Sequence, residues 1–303
     1  VFDGVLPPIP TPFVGDRLEL GPLADNLDRW MSTGLRGVLA LGTNGEAPYV
    51  DEDEADRLVA TVRARMPAGR TLLVGVGRES TRATIAASVR AAAHGADAVL
   101  VRPPTTYRTQ MTEAALEGHF LSVADESPVP VLLYNQPVAF GVELTVGLVA
   151  RLSAHGNIRG LKESSGNVGL VGEHVAGLSD GFPVLTGVAS TMYASLLVGA
   201  TGLIVAVANV VPELCVRLYD DVRAGRLDAA LTLQRTLTPL GRAVTFQHGV
   251  AGLKAAVTLA GYAGTEPRRP MSPVGPEVVS SLRALMRDVE ERTGVPVLST
   301  AET

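Results

Sequence analysis

The sequence predicts an α/β fold, a (β/α)8 TIM barrel followed by a C-terminal helical extension. Short apolar runs alternate with amphipathic stretches almost throughout. The runs lack polar alternation, as expected of parallel strands buried on both faces. Eight run–helix pairs fit into about 225 residues, the size and rhythm of such a barrel. The chain is accordingly divided into a barrel catalytic domain, 1–225, and a helical region, 226–303.

The first run, Val5 to Pro10, is broken by prolines and reads as a poor or irregular strand. A helix follows from Gly21 to Thr33, with Leu23, Leu27, Trp30 and Met31 at helical spacing. Gly37 to Leu41 is the next strand, and Asp51 with Glu54 has capping-box spacing for the helix after it. Thr71 to Gly75 is the third strand, with Ser80 or Thr81 as the next cap. Ala98 to Val101 is the fourth, and Thr112 opens its helix. Val129 to Asn135 is the fifth, with Thr145 capping the helix through Leu152. Ile158 to Lys162 is the sixth, followed by a helix from Val168 to Leu178. Pro183 to Thr186 and Gly202 to Val207 complete the set, with helices from Thr191 to Val198 and from Pro212 to Ala224. The tail reads as three helices, Leu227 to Thr238, Val250 to Ala260 and Pro276 to Thr293, with fraying expected at the last few residues.

Composition narrows the function. The net charge is −5 with no basic stripe, which argues against a nucleic-acid partner. Aromatics are only 4%, so Val, Leu and Ala must fill the core. Cys215 is alone, so neither an intrachain disulfide nor a cysteine-based zinc site is expected. The five histidines are scattered without metal spacing and read as surface or helix residues; no metal is expected. No apolar run approaches the roughly 20 residues of a membrane span. Val1-Phe2-Asp3-Gly4 has neither the basic region nor the apolar core of a signal peptide. A soluble cytoplasmic protein is the expectation.

Lys162 is one of only two lysines; apart from histidines, all other basic residues are arginines. An amine can lose its proton and attack a carbonyl, which a guanidinium cannot. A lysine snorkelling from a strand edge is the competing reading of that stretch taken alone. The other lysine, Lys254, lies in an Ala- and Leu-rich helix outside the barrel and reads as structural.

Active sites of this fold lie at the C-terminal ends of the strands. That places Thr43, Asn44 and Glu46, then Arg78, at the mouth after strands two and three. Arg102 and Tyr107 follow strand four, while Tyr134 and Asn135 end strand five. Lys162 and Ser164 end strand six, Gly187 follows strand seven and Ile204 lies in strand eight. Burial at the mouth disfavours a charged Lys162, and Tyr134, one strand earlier, suits a proton relay. A core tyrosine with its hydroxyl at the rim is the plainer reading of Tyr134. The Gly42-Thr43-Asn44-Gly45 loop can bring backbone N–H groups to a carboxylate, or be only a tight βα turn.

Three motifs in order, Gly42-Thr43-Asn44-Gly45-Glu46, Tyr134-Asn135-x-Pro137 and Gly160-Leu161-Lys162-Glu163-Ser164, resemble the dihydrodipicolinate synthase / N-acetylneuraminate lyase family of class I aldolases. The resemblance implies a Schiff base between Lys162 and pyruvate or another 2-oxo acid, with no cofactor. It implies Tyr134 as relay, Thr43 as carboxylate binder sharing the relay, and Asn44 beside it. It also implies a homotetramer in which a tyrosine from the partner subunit completes the relay; the family's tyrosine pair is here Thr106-Tyr107, so either Tyr107 or Thr106 stands at that position. Synthases of the family carry a second hydroxyl where Asn44 stands and a substrate-gripping arginine where Ala139 stands. Asn44, Arg108 with Met111, the Ser164 position and the tail look closer to the 4-hydroxy-2-oxoglutarate aldolase branch.

The expected function is cleavage or formation of a carbon–carbon bond in a 2-oxo acid, with pyruvate as product or donor and an aldehyde as the other partner. The leading substrate is 4-hydroxy-2-oxoglutarate or a relative. Arg78 or Arg102 can hold a distal carboxylate, whereas Ala139 and Phe140 allow a less polar aldehyde. Dihydrodipicolinate synthase, a sugar-acid dehydratase and a non-catalytic 2-oxo-acid-binding barrel are the alternatives.

Overall fold

The structure, a computed structural model, describes residues 2–299; the expected fraying of the last few residues lies outside them, apart from what precedes 300. Eight parallel strands form one sheet: β1 (Gly4–Val5), β2 (Gly37–Ala40), β3 (Thr71–Gly75), β4 (Ala98–Val101), β5 (Val131–Asn135), β6 (Ile158–Glu163), β7 (Val184–Thr186) and β8 (Gly202–Leu203). Their order is β1-β8-β7-β6-β5-β4-β3-β2. The circle closes through the proline-rich segment after β1. Leu39 N–H donates to Pro7 O at 2.9 Å, and Ile9 N–H donates to Leu39 O at 2.9 Å. Pro7, Pro8 and Pro10 have no N–H, so this edge joins by isolated hydrogen bonds rather than a regular ladder.

Each strand is followed by its helix: α1 (Leu20–Met31), α2 (Glu52–Arg65), α3 (Thr81–Ala93), α4 (Glu113–Glu126), α5 (Val146–Ser153), α6 (Val168–Gly177), α7 (Met192–Leu197) and α8 (Pro212–Arg223). The anticipated caps form. Asp51 and Glu54 make a reciprocal capping box, and Ser80, Thr112 and Thr145 each accept an N–H of the first turn.

Alternation along the strands divides the core into two layers. Leu39, Leu73, Leu100, Leu132, Leu185 and Ile204 fill the barrel interior. Their neighbours Val38, Val74, Val99, Val131 and Val184 face the helices. Leucine in the inner layer and valine in the outer one explain how a chain with so few aromatics packs a barrel.

The tail holds α9 (Leu227–Arg242), α10 (Gly249–Leu259) and α11 (Pro276–Thr293). The helix expected to stop at Thr238 continues through Pro239 to Arg242 and into a wider turn, Ala243–Gln247. Burial outweighs the missing proline N–H here. Leu237 and Leu240 are fully buried, and Gly241 packs so close to Ala189 that a Cβ there would lie 2.6 Å from the alanine methyl. Leu233, Leu237, Val257 and Leu282 of the tail belong to the same apolar cluster as the outer layer of the barrel.

Candidate active site

Two neighbouring strands supply the centre of the site. Tyr134 on β5 and Lys162 on β6 are register partners. Gly160 and Lys162 share the inward face of β6, and a Cβ at Gly160 would press on Leu132, so the strand must be bare below the lysine. Lys162 is only 3% exposed. Its Nζ lies 4.0 Å from the centre of the Tyr134 ring, and it makes no ion pair or hydrogen bond among the described residues. A buried amine without a carboxylate against it is available as a nucleophile once neutral.

The Tyr134 ring packs edge-on against Phe140, with ring centres 5.1 Å apart, and its hydroxyl donates to Gln136 Oε1 at 2.5 Å. Ser164 and Gly187 complete the surroundings of the lysine. A Cβ at Gly187 would overlap Ser164 Oγ and come within 3.1 Å of Lys162 Cε, so only glycine leaves room for both. The Ser164 hydroxyl is buried without a hydrogen-bond partner among the described residues. Ile204 forms part of the inner layer together with Tyr134.

Beside Tyr134 opens a cavity of about 100 Å³, lined by Thr43, Gly42, Leu100, Arg102, Tyr134 and Phe140 among others. Thr43 stands exposed at its edge and Asn44 is half-buried next to it. Arg102 donates to Glu79 Oε1 at 2.9 Å and to Pro103 O at 2.8 Å. Burial pushes the Glu79 carboxyl up, but hydrogen bonds from Thr106, Thr105 and Arg102 outweigh it and bring it down to about 2. Ala139 is exposed on the short helical turn Pro137–Phe140.

Lys162 lies behind Tyr134 rather than in the lining of this cavity, and three of the expected mouth residues are directed elsewhere. Arg78 pairs with Glu52 at the start of α2, its Nε donating to Oε1 at 3.1 Å. Tyr107 is 71% exposed, on the loop after β4, and its hydroxyl makes no hydrogen bond among the described residues. Glu46, expected at the mouth, turns instead into the protein to meet Lys254.

Behind the lysine lies a polar cluster that the motifs did not announce. Glu163 points to the helix side of β6. It accepts Asn135 Nδ2 at 2.7 Å and Ser165 N–H at 2.6 Å, and His174 Nε2 of α6 lies 3.5 Å away. Burial raises the Glu163 carboxyl, yet the nearby His174 ring and the hydrogen bonds from Ser165 and Asn135 prevail and hold it below the usual range. Asn135 Oδ1 in turn accepts Leu144 N–H, tying the end of β5 to the loop before α5. His119 and His174 are both buried rather than at the surface. The signal for Glu163 was its place one residue after an inward lysine, on a strand covered on both faces.

Fold and site define a parallel barrel with Tyr134 and Lys162 side by side at the C-terminal ends of β5 and β6. The model of the dihydrodipicolinate synthetase family matches residues 1–289, and the chain belongs to this family. It is 34% identical over 293 residues to the L-threo-3-deoxy-hexylosonate aldolase of Hypocrea jecorina, covering 90% of this chain and 91% of that protein. It is 36% identical over 267 residues to a probable mitochondrial 4-hydroxy-2-oxoglutarate aldolase of Emericella nidulans, covering 85% of each. Among solved structures, YagE of E. coli K12, described as a family member in complex with pyruvate, superposes with a TM-score of 0.90 at 28% identity, covering 96% of this chain and 99% of that one. No helix among the described residues is long and apolar enough to cross a membrane.

Proposed function

We propose that the protein is a class I aldolase that makes and breaks a carbon–carbon bond next to a 2-oxo acid held as an imine on Lys162. The observation that carries this reading is the buried Lys162 amine 4.0 Å from the Tyr134 ring centre, without a carboxylate partner among the described residues. The neutral amine attacks the C2 ketone and forms a carbinolamine. Tyr134 passes a proton to the departing hydroxyl, water leaves, and an iminium remains. The C4 hydroxyl gives its proton to the Tyr134 phenoxide, the C3–C4 bond breaks, and its electron pair flows into the iminium. An aldehyde departs and an enamine is left. Protonation at C3 and addition of water release pyruvate and restore the amine.

Thr43 holds the carboxylate of the 2-oxo acid and shares the relay, with Asn44 beside it. Ser164, Gly187 and Ile204 shape the pyruvate end. Ala139, Phe140 and Arg102 border the aldehyde end, where 4-hydroxy-2-oxoglutarate would present its second carboxylate. The relatives' names, an aldolase of a 3-deoxy sugar acid and one of 4-hydroxy-2-oxoglutarate, support a lyase that releases pyruvate. A synthase reading lacks the arginine expected where Ala139 stands. No cofactor enters this scheme. Assembly into a homotetramer, with Tyr107 reaching a partner subunit, and a cytoplasmic location belong to the same proposal; light scattering tests the first.

The deciding experiment is treatment with pyruvate and borohydride, followed by intact and peptide mass analysis. A reduced pyruvate adduct on the Lys162 peptide is expected. No adduct on that peptide overturns the proposal.

A further inference from the structure

The proposed chemistry uses one of the two lysines. The other, Lys254 on α10, is 1% exposed and has been drawn into the back of the site. Its Nζ lies 2.5 Å from Glu46 Oε1 and donates to Glu266 O at 2.7 Å. Glu46 Oε2 accepts the backbone N–H of Arg268 at 2.8 Å. Both carboxylate oxygens of Glu46 are therefore held by the tail, and the Glu46 side chain is fully buried.

Glu46 closes the turn that carries Thr43. Its own N–H donates to Thr43 O at 3.1 Å, and Gly45 N–H donates to Gly42 O at 3.0 Å. Its φ is 56°, a left-handed conformation that a non-glycine residue keeps only when its surroundings hold it there. The turn is seated tightly from below as well. Thr11 Oγ1 donates to Gly45 O at 2.5 Å, and a Cβ at Gly45 would approach Ile9 O and Leu41 N to 3.1 Å. A second clamp lies just beyond, where the Arg268 guanidinium grips Glu54 of α2 through two 2.6 Å hydrogen bonds and also donates to Tyr49 O.

A buried ion pair is a poor device for stability alone, because desolvation of both charges offsets their attraction. It is an effective device for fixing geometry, since neither charge tolerates losing its partner. We propose that Lys254, acting through Glu46, is a positioning residue that sets Thr43 at the edge of the cavity, which makes the C-terminal helices part of the catalytic unit. This rests on the Schiff-base reading of Lys162 and Thr43. A compact ammonium with a backbone carbonyl behind it fits between Glu46 and the ring of Phe13, 4.8 Å away, where a forked guanidinium would not.

The test is a double-mutant cycle on the full chain, read as the second-order rate of borohydride-trapped adduct formation at low pyruvate. Thr43→Ala lowers this rate directly. Lys254→Met is expected to lower it about ten- to hundred-fold, the scale of an ångström of misplacement. The double variant is expected to be no slower than Thr43→Ala alone, and Lys254→Arg to recover little. An unchanged rate in Lys254→Met, or losses that multiply in the double variant, overturns the inference. If Lys254→Met does not fold, as judged by circular dichroism, the near-isosteric Glu46→Gln carries the same cycle with the same two overturning outcomes. Absence of any adduct in the unaltered protein instead overturns the Schiff-base reading, so the two failures are distinct.

Discussion

Lys162 Nζ lies over the face of Tyr134, 4.0 Å from the ring centre, rather than against its hydroxyl. The ring thus offers the amine a π surface while the phenol oxygen is turned to Gln136. Support of the amine and proton transfer are separable in this arrangement. Tyr134→Phe keeps the ring face and the packing on Phe140. It is expected to keep an unchanged melting temperature and to reach the same pyruvate adduct on Lys162 more slowly, because dehydration loses its proton donor, while turnover falls about 10²- to 10⁴-fold, the usual share of a general acid–base. Adduct mass, thermal melting and steady-state turnover check the three parts. Turnover equal to that of the unaltered protein would remove Tyr134 from the relay.

Gly187→Ala addresses the crowding around the lysine. The new methyl would contest the space of Ser164 Oγ and press on Lys162 Cε. The hydroxyl can rotate aside, so the fold should survive at a cost of about 1–3 kcal/mol, typical of overpacking. The lysine has less freedom, and adduct formation is expected to slow by at least about tenfold, the scale of a small misplacement of a reacting group. Adding Ser164→Ala should return part of the stability, measured by urea unfolding. If stability and trapping both stay unchanged, the close packing of these three residues does not hold in solution.

Much of this arrangement was legible from the chain because the barrel converts strand order into position. Once β5 and β6 are neighbours, a tyrosine and a lysine at their ends must meet. The parts that escaped are pairings between charges far apart in sequence. Nothing in the run Gly42 to Glu46 says that Glu46 points to the tail, and nothing around Lys254 says that it answers; only the docked helix brings residues 46 and 254 together. Arg78 and Arg102 look alike as arginines after strands. Their acidic neighbours separate them, Glu52 drawing one outward and Glu79 holding the other at the cavity. Apolar composition alone extends the eighth strand to Val207. The strand ends at Leu203 because the chain then winds into the buried turn Ala206–Asn209, which apolar content alone cannot distinguish from a strand.

Acid stability should report on His119. Its side chain is buried on α4, with Nδ1 2.9 Å from Thr81 Oγ1. Burial, with Arg102 nearby, pushes its pKa from 6.5 down to about 4. In that window the unfolded chain binds the proton and the folded chain does not. Stability therefore falls as pH drops from about 6.5 to about 4 and levels off below, a loss of roughly 3 kcal/mol from this group. His119→Leu removes the titration. Its unfolding free energy, compared with that of the unaltered protein at pH 7 and pH 4.5, should gain on the acid side. An equal pH dependence in both proteins would mean that His119 is not buried neutral.

Arg102 is the charged side chain at the cavity, but its guanidinium already serves Glu79 and Pro103. Glu79 stays anionic at any working pH, since its carboxyl is held at about 2. An incoming carboxylate must share Arg102 with this fixed anion and meets its repulsion. Glu79→Gln removes the negative charge while leaving an oxygen for the Thr105 and Thr106 N–H groups that Glu79 now accepts. Arg102 then faces the cavity uncompensated. Condensation of pyruvate with glyoxylate, which carries a carboxylate, should gain about tenfold over condensation with glyceraldehyde, which does not, the worth of one charge-assisted hydrogen bond. Chromatography of the two products in both proteins gives the ratio. A ratio that does not move would show that the aldehyde end of the substrate lies out of reach of Arg102, and would shift the choice of aldehyde to Phe140 and Ala139.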